Sequence, residues 1–244
     1  MQSDLLDAQA AIDWAVAQLP ALQGRVESWG KGPRYRLVME PHPEIGKKLI
    51  KLADVKALDP IVNAEVGAII NSIRSSLDIL ITSVALRHGY TNTKHTYFPI
   101  AASRDDFING DYKGHKAIQA LPKKERTIIE NLEPWRGGNQ NLVALHDLDI
   151  TRKHQRLIDV RISPWAIAAT PAEFKAGLEF VPVWPGLKNE ALIGSIGINA
   201  PDCDPHLSLR VEFNETGPIA NKPLLAALCD FASLANAIIR RFDY

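Results

Sequence analysis

Between positions 62 and 84 the apolar residues fall at Val62, Val66, Ile69, Ile70, Ile73, Leu77, Leu80, Ile81 and Val84. Steps of three and four, held over roughly six turns, are the mark of an α-helix with one buried face. Asp59-Pro60 stands before this run and His88-Gly89 after it. Asp is a good N-cap, Pro suits a first turn that needs no amide donor, and Gly takes the left-handed position that closes a helix. The pattern predicts a long central helix over about 60–88.

Shorter segments follow the same logic. Ser3 or Asp4 can cap a first helix that carries Leu5, Leu6, Ile12, Val16 and Leu19 and stops before Pro20. Gly24 to Glu40 reads as extended, with strand alternation in Tyr35-Arg36-Leu37-Val38-Met39 ended by Pro41-His42-Pro43. A helix is expected over Glu44–Leu58, further helices over Asp106–Leu121 and Lys123–Leu132, and another from an Asn141 cap to about His154. Beyond this the period changes. Ile158, Val160 and Ile162 alternate with Asp159 and Arg161, and Leu207, Leu209, Val211 and Phe213 alternate with Ser208, Arg210 and Glu212. Phe180–Trp184 and Leu192–Ile198 also look extended, and Pro223–Phe242 closes the chain as an amphipathic helix.

Helices, then half-buried strands, then a helix describe an α+β fold. The expected architecture is an N-terminal, mainly helical layer packed with a C-terminal antiparallel sheet and a final helix. It forms a single domain over residues 1–244. The one candidate border lies near residue 155, dividing a mainly helical 1–154 from 155–244.

Composition narrows the function classes. The 244 residues carry 28 Lys plus Arg and 28 Asp plus Glu, so there is no overall basic excess of the kind that nucleic-acid and membrane-surface proteins display. A chain of this length buries about 70–75% of its unfolded surface and needs no staple. Its two cysteines, Cys203 and Cys229, lack metal-ligand spacing and fit small buried residues in a reducing compartment. The N-terminus lacks the pattern of a signal peptide, and the nearly apolar stretch Ile79–Leu86 is too short to span a bilayer. A cytoplasmic location and no membrane partner are expected.

Two polar stripes interrupt the apolar helices. Gly67, Asn71, Arg74, Asp78 and Thr82 share one face of the long helix, with Arg74 and Asp78 spaced to pair. The stripe is rich in small side chains, which suit close packing of another element. On the helix ending at His154, His146, Asp149 and Lys153 again lie three and four apart, and Asp149–Lys153 has the favourable acid-first order. If the stripes meet, they form a buried network that must be satisfied, and such networks often mark a site. If they face water they are ordinary helix surfaces. Arg74, His146 and His154 are the candidate catalytic groups. Asn71, Arg74, Asp78, Asp149, Arg152 and Lys153 are the candidate binding groups. A basic helix end at Arg152, Lys153, His154 and Arg156 could hold a phosphate. His146 and Asp149, joined by His154 or Asp78, give at most an incomplete metal set, and no cofactor is expected. Nucleophile-elbow, Walker, dinucleotide-binding and zincin motifs are missing from the sequence.

Four blocks also carry a resemblance. They are Ile69 to Asp78, Phe98-Pro99-Ile100, Ile128 to Pro134 and Leu145 to His154. In this order they resemble a family of bacterial proteins without an assigned activity. Its members pair an asparagine-leucine-arginine-serine-alanine-leucine-aspartate-histidine helix with a later asparagine-x-x-lysine-histidine-arginine segment. The resemblance covers about residues 60–160. The helix block is also similar to the HEPN superfamily, whose RNase members keep an arginine and, a few residues on, a histidine on one helix. Arg74 matches that arginine, and Ile79 stands where the histidine would fall. Asp149 and Gln155 stand where the bacterial family favours asparagine and arginine.

Three functions follow as expectations. In the first, the chain is a structural or interaction protein whose sheet offers a partner or homodimer surface. In the second, it is a HEPN-like protein acting on RNA, with Arg74 holding a phosphate and a histidine as acid/base. In the third, it is a metal- or small-ligand-binding module.

Overall fold

The central helix forms as its period requires, over Ile61–Arg87 (α2). A computed structural model describes residues 1–31, 35–42, 45–110, 114–181, 190–201 and 205–244. In it α2 ends as the His88-Gly89 pair foretells. Gly89 takes φ +79°, its amide donates to the Leu86 carbonyl at 2.9 Å, and the Tyr90 amide donates to the Ala85 carbonyl at 3.0 Å. These two bonds satisfy carbonyls that the helix end would otherwise leave bare. By length and composition α2 also resembles a membrane-crossing helix, but more than half of its most apolar stretch is buried in the protein.

The helices are α1 (Leu6–Gly30), α2, α3 (Arg104–Asn109), α4 (His115–Ala120), α5 (Lys123–Glu130), α6 (Gln140–His154), α7 (Pro171–Lys175) and α8 (Leu224–Arg240). The strands are β1 (Arg36–His42), β2 (Lys47–Ala53), β3 (Val160–Ala168), β4 (Glu179–Phe180), β5 (Glu190–Gly197) and β6 (His206–Phe213). All strand pairs are antiparallel, and the fold is α+β.

The chain divides into two compact units. One contains residues 1–22, 61–159 and 215–244, and the other residues 23–60 and 160–214. The expected border near 155 lies close to one of four crossings, and the final helix belongs with the earlier helices. In the helical unit α2 packs against α6 and α8, and α6 packs against α8. Ile69, Ile70, Ile73, Leu77, Leu80 and Ile81 are at most 1% exposed. In the strand unit a four-stranded sheet runs β1-β2-β5-β4, and β3 pairs with β6. Ile50, Leu52, Leu178, Ile193, Ile196 and Leu207 form its core.

Several expectations are corrected. The first helix does not stop before Pro20. It runs to Gly30 with Pro20 inside, so the segment expected to be extended begins only at β1. Ser3 and Asp4 lie inside an N-terminal 3-10 turn, Ser3–Leu5, whose leading residue Gln2 makes no side-chain cap, and Asp4 takes a two-point ion pair from Arg87, at 2.8 and 3.0 Å. The helix expected over Glu44–Leu58 is strand β2 in its described part. Ile50 and Leu52, two apart, are both buried, and pairing with β1 and β5 decides the conformation where the local pattern was ambiguous. The helix expected over Asp106–Leu121 is two short ones, α3 and α4. A Cβ at Gly110 would stand 2.5 Å from the Asp106 carbonyl oxygen, so the chain turns there tightly. Asn139, not Asn141, caps α6 by accepting the Leu142 amide at 3.1 Å. Asn141 accepts Lys222 instead. Cys229 is exposed, not buried. Cys203 and the end of the extended segment expected over Phe180–Trp184 lie outside the described residues.

Candidate functional site

The polar stripe of α2 meets three different partners. Nearest its start, Gly67 lies under the aliphatic stem of Arg152 from α6. One turn on, the Asn71 Oδ1 accepts Arg152 Nη2 at 2.9 Å. Arg152 also faces Asp149, with Nε 3.9 Å from Oδ1. Lys153 Nζ donates to the other Asp149 oxygen at 2.6 Å. Asp149 is only 4% exposed, so its charge is compensated by two cations of its own helix. Its Oδ1 and the Arg152 Nε are both buried without a hydrogen-bond partner among the described residues.

The middle of the stripe holds a backbone clamp. Arg74 Nη1 donates to Asp78 Oδ1 at 2.5 Å, and Arg74 Nη2 donates to the Phe98 carbonyl at 2.9 Å. The same Asp78 oxygen accepts the Phe98 amide at 2.8 Å. One i,i+4 ion pair thus satisfies both backbone groups of a buried residue in an irregular segment, where no strand or helix partner supplies them. The guanidinium lies 6.0 Å from the centre of the Phe98 ring, within range of a cation–π attraction. At the end of the stripe the Thr82 and Thr96 hydroxyls hydrogen-bond at 2.7 Å.

His146 stands in the electrostatic field of Arg74 and Asp78. Burial first, and then Arg74, push its pKa down to about 4, against the opposing pull of Asp147 and Asp78. The imidazole is neutral at neutral pH. Next to it, Asp147 takes a two-point pair from Arg136, at 2.7 and 2.8 Å.

The sequence-derived candidates therefore separate. Asn71, Asp149, Arg152 and Lys153 come together at one level of the α2–α6 seam. Arg74 and Asp78 form a second cluster around Phe98, with His146 sensed electrostatically. His154 is exposed at the end of α6 and joins neither. The basic helix end is largely engaged, since Arg156 pairs twice with Glu215 at 2.7 Å. Among the described residues no group of three or more His, Cys, Asp or Glu is placed to hold a metal ion.

Two arrangements carried no sequence signal. Glu125 of α5 is 2% exposed and accepts both His88 Nε2 at 2.7 Å and the Tyr244 hydroxyl at 2.6 Å on one oxygen. Burial pushes its carboxyl up, but the bonds from Tyr244, from its own backbone and from His88 together hold it below the ordinary carboxylate value. The three residues lie far apart in the chain, so no spacing could reveal them. In the strand unit the β3–β6 register slips between Pro164 and Ala166, which leaves Trp165 as the extra residue of a bulge. Trp165 is 63% exposed, and the Arg210 guanidinium lies 4.8 Å over its ring. Arg161 and Arg210 both grip the buried Glu212 carboxylate at 2.9 Å. Pro164 hints at an irregular strand, but nothing local assigns the side that Trp165 takes.

Set against models of known protein families, characterised proteins and solved structures, the chain matches none.

Proposed function

We propose that this chain is a structural or interaction protein, in which the polar contacts of α2 fix the helical unit and perform no chemistry. The observation that carries this reading is the state of Arg74. It is 5% exposed, and its two terminal nitrogens serve Asp78 and the Phe98 carbonyl. Recognition of a phosphate uses the guanidinium fork, and here the fork is turned inward onto the protein's own backbone. His146, neutral down to about pH 4, is a weak base at neutral pH and holds no extra proton to donate, so it does not complete an acid/base pair. The RNA-directed alternative would need Arg74 released from Phe98.

The strand unit supports the interaction half of the reading. An exposed Trp with an Arg guanidinium over its ring offers apolar area with a charge beside it, and Trp and Arg are enriched in binding hot spots. A bulge re-aims side chains and is typical of places where a strand does something other than pair.

The test combines stability with RNA. Arg74→Met is expected to lower the melting temperature by several degrees. The wild-type chain, incubated with total RNA, is expected to leave it intact and to show no salt-sensitive binding. Cleavage or salt-dependent binding that disappears in Arg74→Met, with the melting temperature unchanged, overturns the proposal.

A further inference from the structure

We propose that the outer edge of β1 pairs with the same edge of a second copy of this chain, antiparallel and two-fold symmetric about Val38. β1 is the last strand of its four-stranded sheet. Among the described residues it makes no backbone bond outside that sheet. One bond elsewhere fixes which of its groups point outward. The Gly46 carbonyl accepts the Ile198 amide, just past β5, at 3.2 Å. In a trans peptide the amide hydrogen lies opposite the carbonyl oxygen, so Lys47 turns its amide toward β1. The direction alternates along an antiparallel strand, so Lys47, Leu49 and Lys51 face their register partners His42, Glu40 and Val38. The backbone groups of Leu37, Met39 and Pro41 therefore turn away from the sheet. Pro41 fits this row, because a proline in a sheet sits where its missing N–H would face outward. Leu37 and Met39 are left with two N–H donors and two carbonyl acceptors without a partner among the described residues.

Such a row is a template for another strand, and the residues around Val38 decide which strand fits. About an axis at Val38, Leu37 faces Met39 of the second copy and exchanges both backbone bonds with it, and symmetry makes this contact twice. Arg36 faces Glu40 of the second copy, also twice. On one side of the sheet Leu37 and Met39 are the half-buried rim of the strand unit's core, and the pairing covers them. On the other side are two exposed ion pairs, Arg36–Asp54 at 3.0 Å and Lys51–Glu40 at 2.5 Å. The pairing joins them across the seam into a row of charges that alternate in sign. Shifted registers lose this complementarity. An axis at Leu37 or at Met39 sets Arg36 or Glu40 against Val38, and an axis at Glu40 sets two carboxylates face to face. One strand edge is a small interface, which makes the dimer weak and concentration-dependent. The inference uses neither Arg74 nor Trp165, so it and the reading above fail separately.

Sedimentation of the full chain, followed from micromolar to millimolar concentration, is expected to show a monomer–dimer equilibrium. Amide exchange at Leu37 and Met39 is expected to slow as the dimer forms, while Val38, bonded to Lys51 in both states, stays unchanged. Arg36→Glu opposes carboxylates across the seam, and Glu40→Arg opposes guanidiniums. Each is expected to weaken association at least about tenfold, since two cross-strand pairs turn from attraction to repulsion. Both positions are exposed, so the melting temperature is expected to hold. An equal mixture of the two variants is expected to restore a mixed dimer, because every carboxylate again faces a guanidinium. The proposal is overturned if the chain stays monomeric at millimolar concentration, or if it dimerises while Leu37 and Met39 exchange as in the monomer. It is equally overturned if the single variants associate like the wild type, or if their mixture pairs no better than either alone.

Discussion

The side chain of Arg152 lies across Gly67 so closely that a Cβ built at position 67 would stand 2.7 Å from the arginine Cδ and 2.9 Å from its Cγ. The missing side chain on α2 is what lets Arg152 of α6 reach Asn71. In an ordinary helix Gly→Ala stabilises by about 1 kcal/mol. Here Gly67→Ala is expected to destabilise, because the stem must move and the bond to Asn71 is lost. In an Arg152→Ala background the same substitution is expected to recover the usual gain. Urea unfolding of the four proteins of this cycle measures the difference, and a coupling near zero would show that Arg152 does not rest on Gly67.

The Arg74–Asp78 pair holds the backbone of Phe98, so its two members are not interchangeable with neutral residues. Arg74 is buried, and Asp78 has a side-chain exposure of 26%. Asp78→Ala leaves a buried guanidinium without its counter-charge and the Phe98 amide without its acceptor. A loss of about 3 kcal/mol is expected, the scale seen when a buried ion pair loses one partner. Arg74→Lys is expected to recover only part of a corresponding loss, since one ammonium cannot reproduce the fork that reaches both Asp78 and the carbonyl. Denaturant midpoints read both. Amide exchange at Phe98, protected in the wild type, is expected to accelerate in Asp78→Ala.

His146 makes stability depend on pH in a defined window. Its folded pKa is depressed from 6.5 to about 4, so between these values the unfolded chain binds more protons than the folded one. Stability therefore rises with pH through this window and is lost as pH falls from about 6.5 toward 4. The loss is at most about 3 kcal/mol. His146→Asn is expected to flatten the profile there. The lowered Glu125 carboxyl acts separately, because its stabilisation is lost only below the ordinary carboxylate value of 4.5. A thermal-melt series of both proteins across this range checks it, and parallel profiles would refute the assignment.

What the sequence disclosed depended on how local the cause was. The period of α2, its Gly89 terminus and the pairs Arg74–Asp78 and Asp149–Lys153 are all set within a few residues, and all are readable from spacing. β2 was misread because Leu49, Ile50 and Leu52 suit a helix or a strand, and only pairing with distant β5 decides. Pro20 argued for a stop that α1 ignores. At the site, the Arg74–Asp78 pair is seated on the carbonyl and amide of Phe98, the first bonded by Arg74 and the second by Asp78, groups that every residue carries and that leave no mark in a sequence. The depth of Glu125, a charged residue near the start of a polar helix, was invisible for the same reason. Its two partners come from the end of α2 and from residue 244.

Tyr244 offers a spectroscopic test of that last cluster. The residue as a whole is 47% exposed, but its hydroxyl donates to buried Glu125 at 2.6 Å. Burial and this bond to a carboxylate push its pKa up to about 12. Removing the phenolic proton would set two negative charges side by side, so the neutral phenol is favoured. The near-ultraviolet absorbance of the folded chain is expected to show one tyrosine ionising above the others, and Tyr244→Phe to remove that step. The sign for stability follows. With a folded pKa above the unfolded value of 10.0, the contribution is full below that value and disappears as pH rises through about 12. Tyr244→Phe is expected to cost about 1 kcal/mol at neutral pH, the scale of one hydrogen bond. Glu125→Gln, which removes the charge opposing phenolate formation, is expected to bring the tyrosine back toward its ordinary value. If Tyr244 titrates with the rest in the wild type, the hydroxyl is not seated on Glu125.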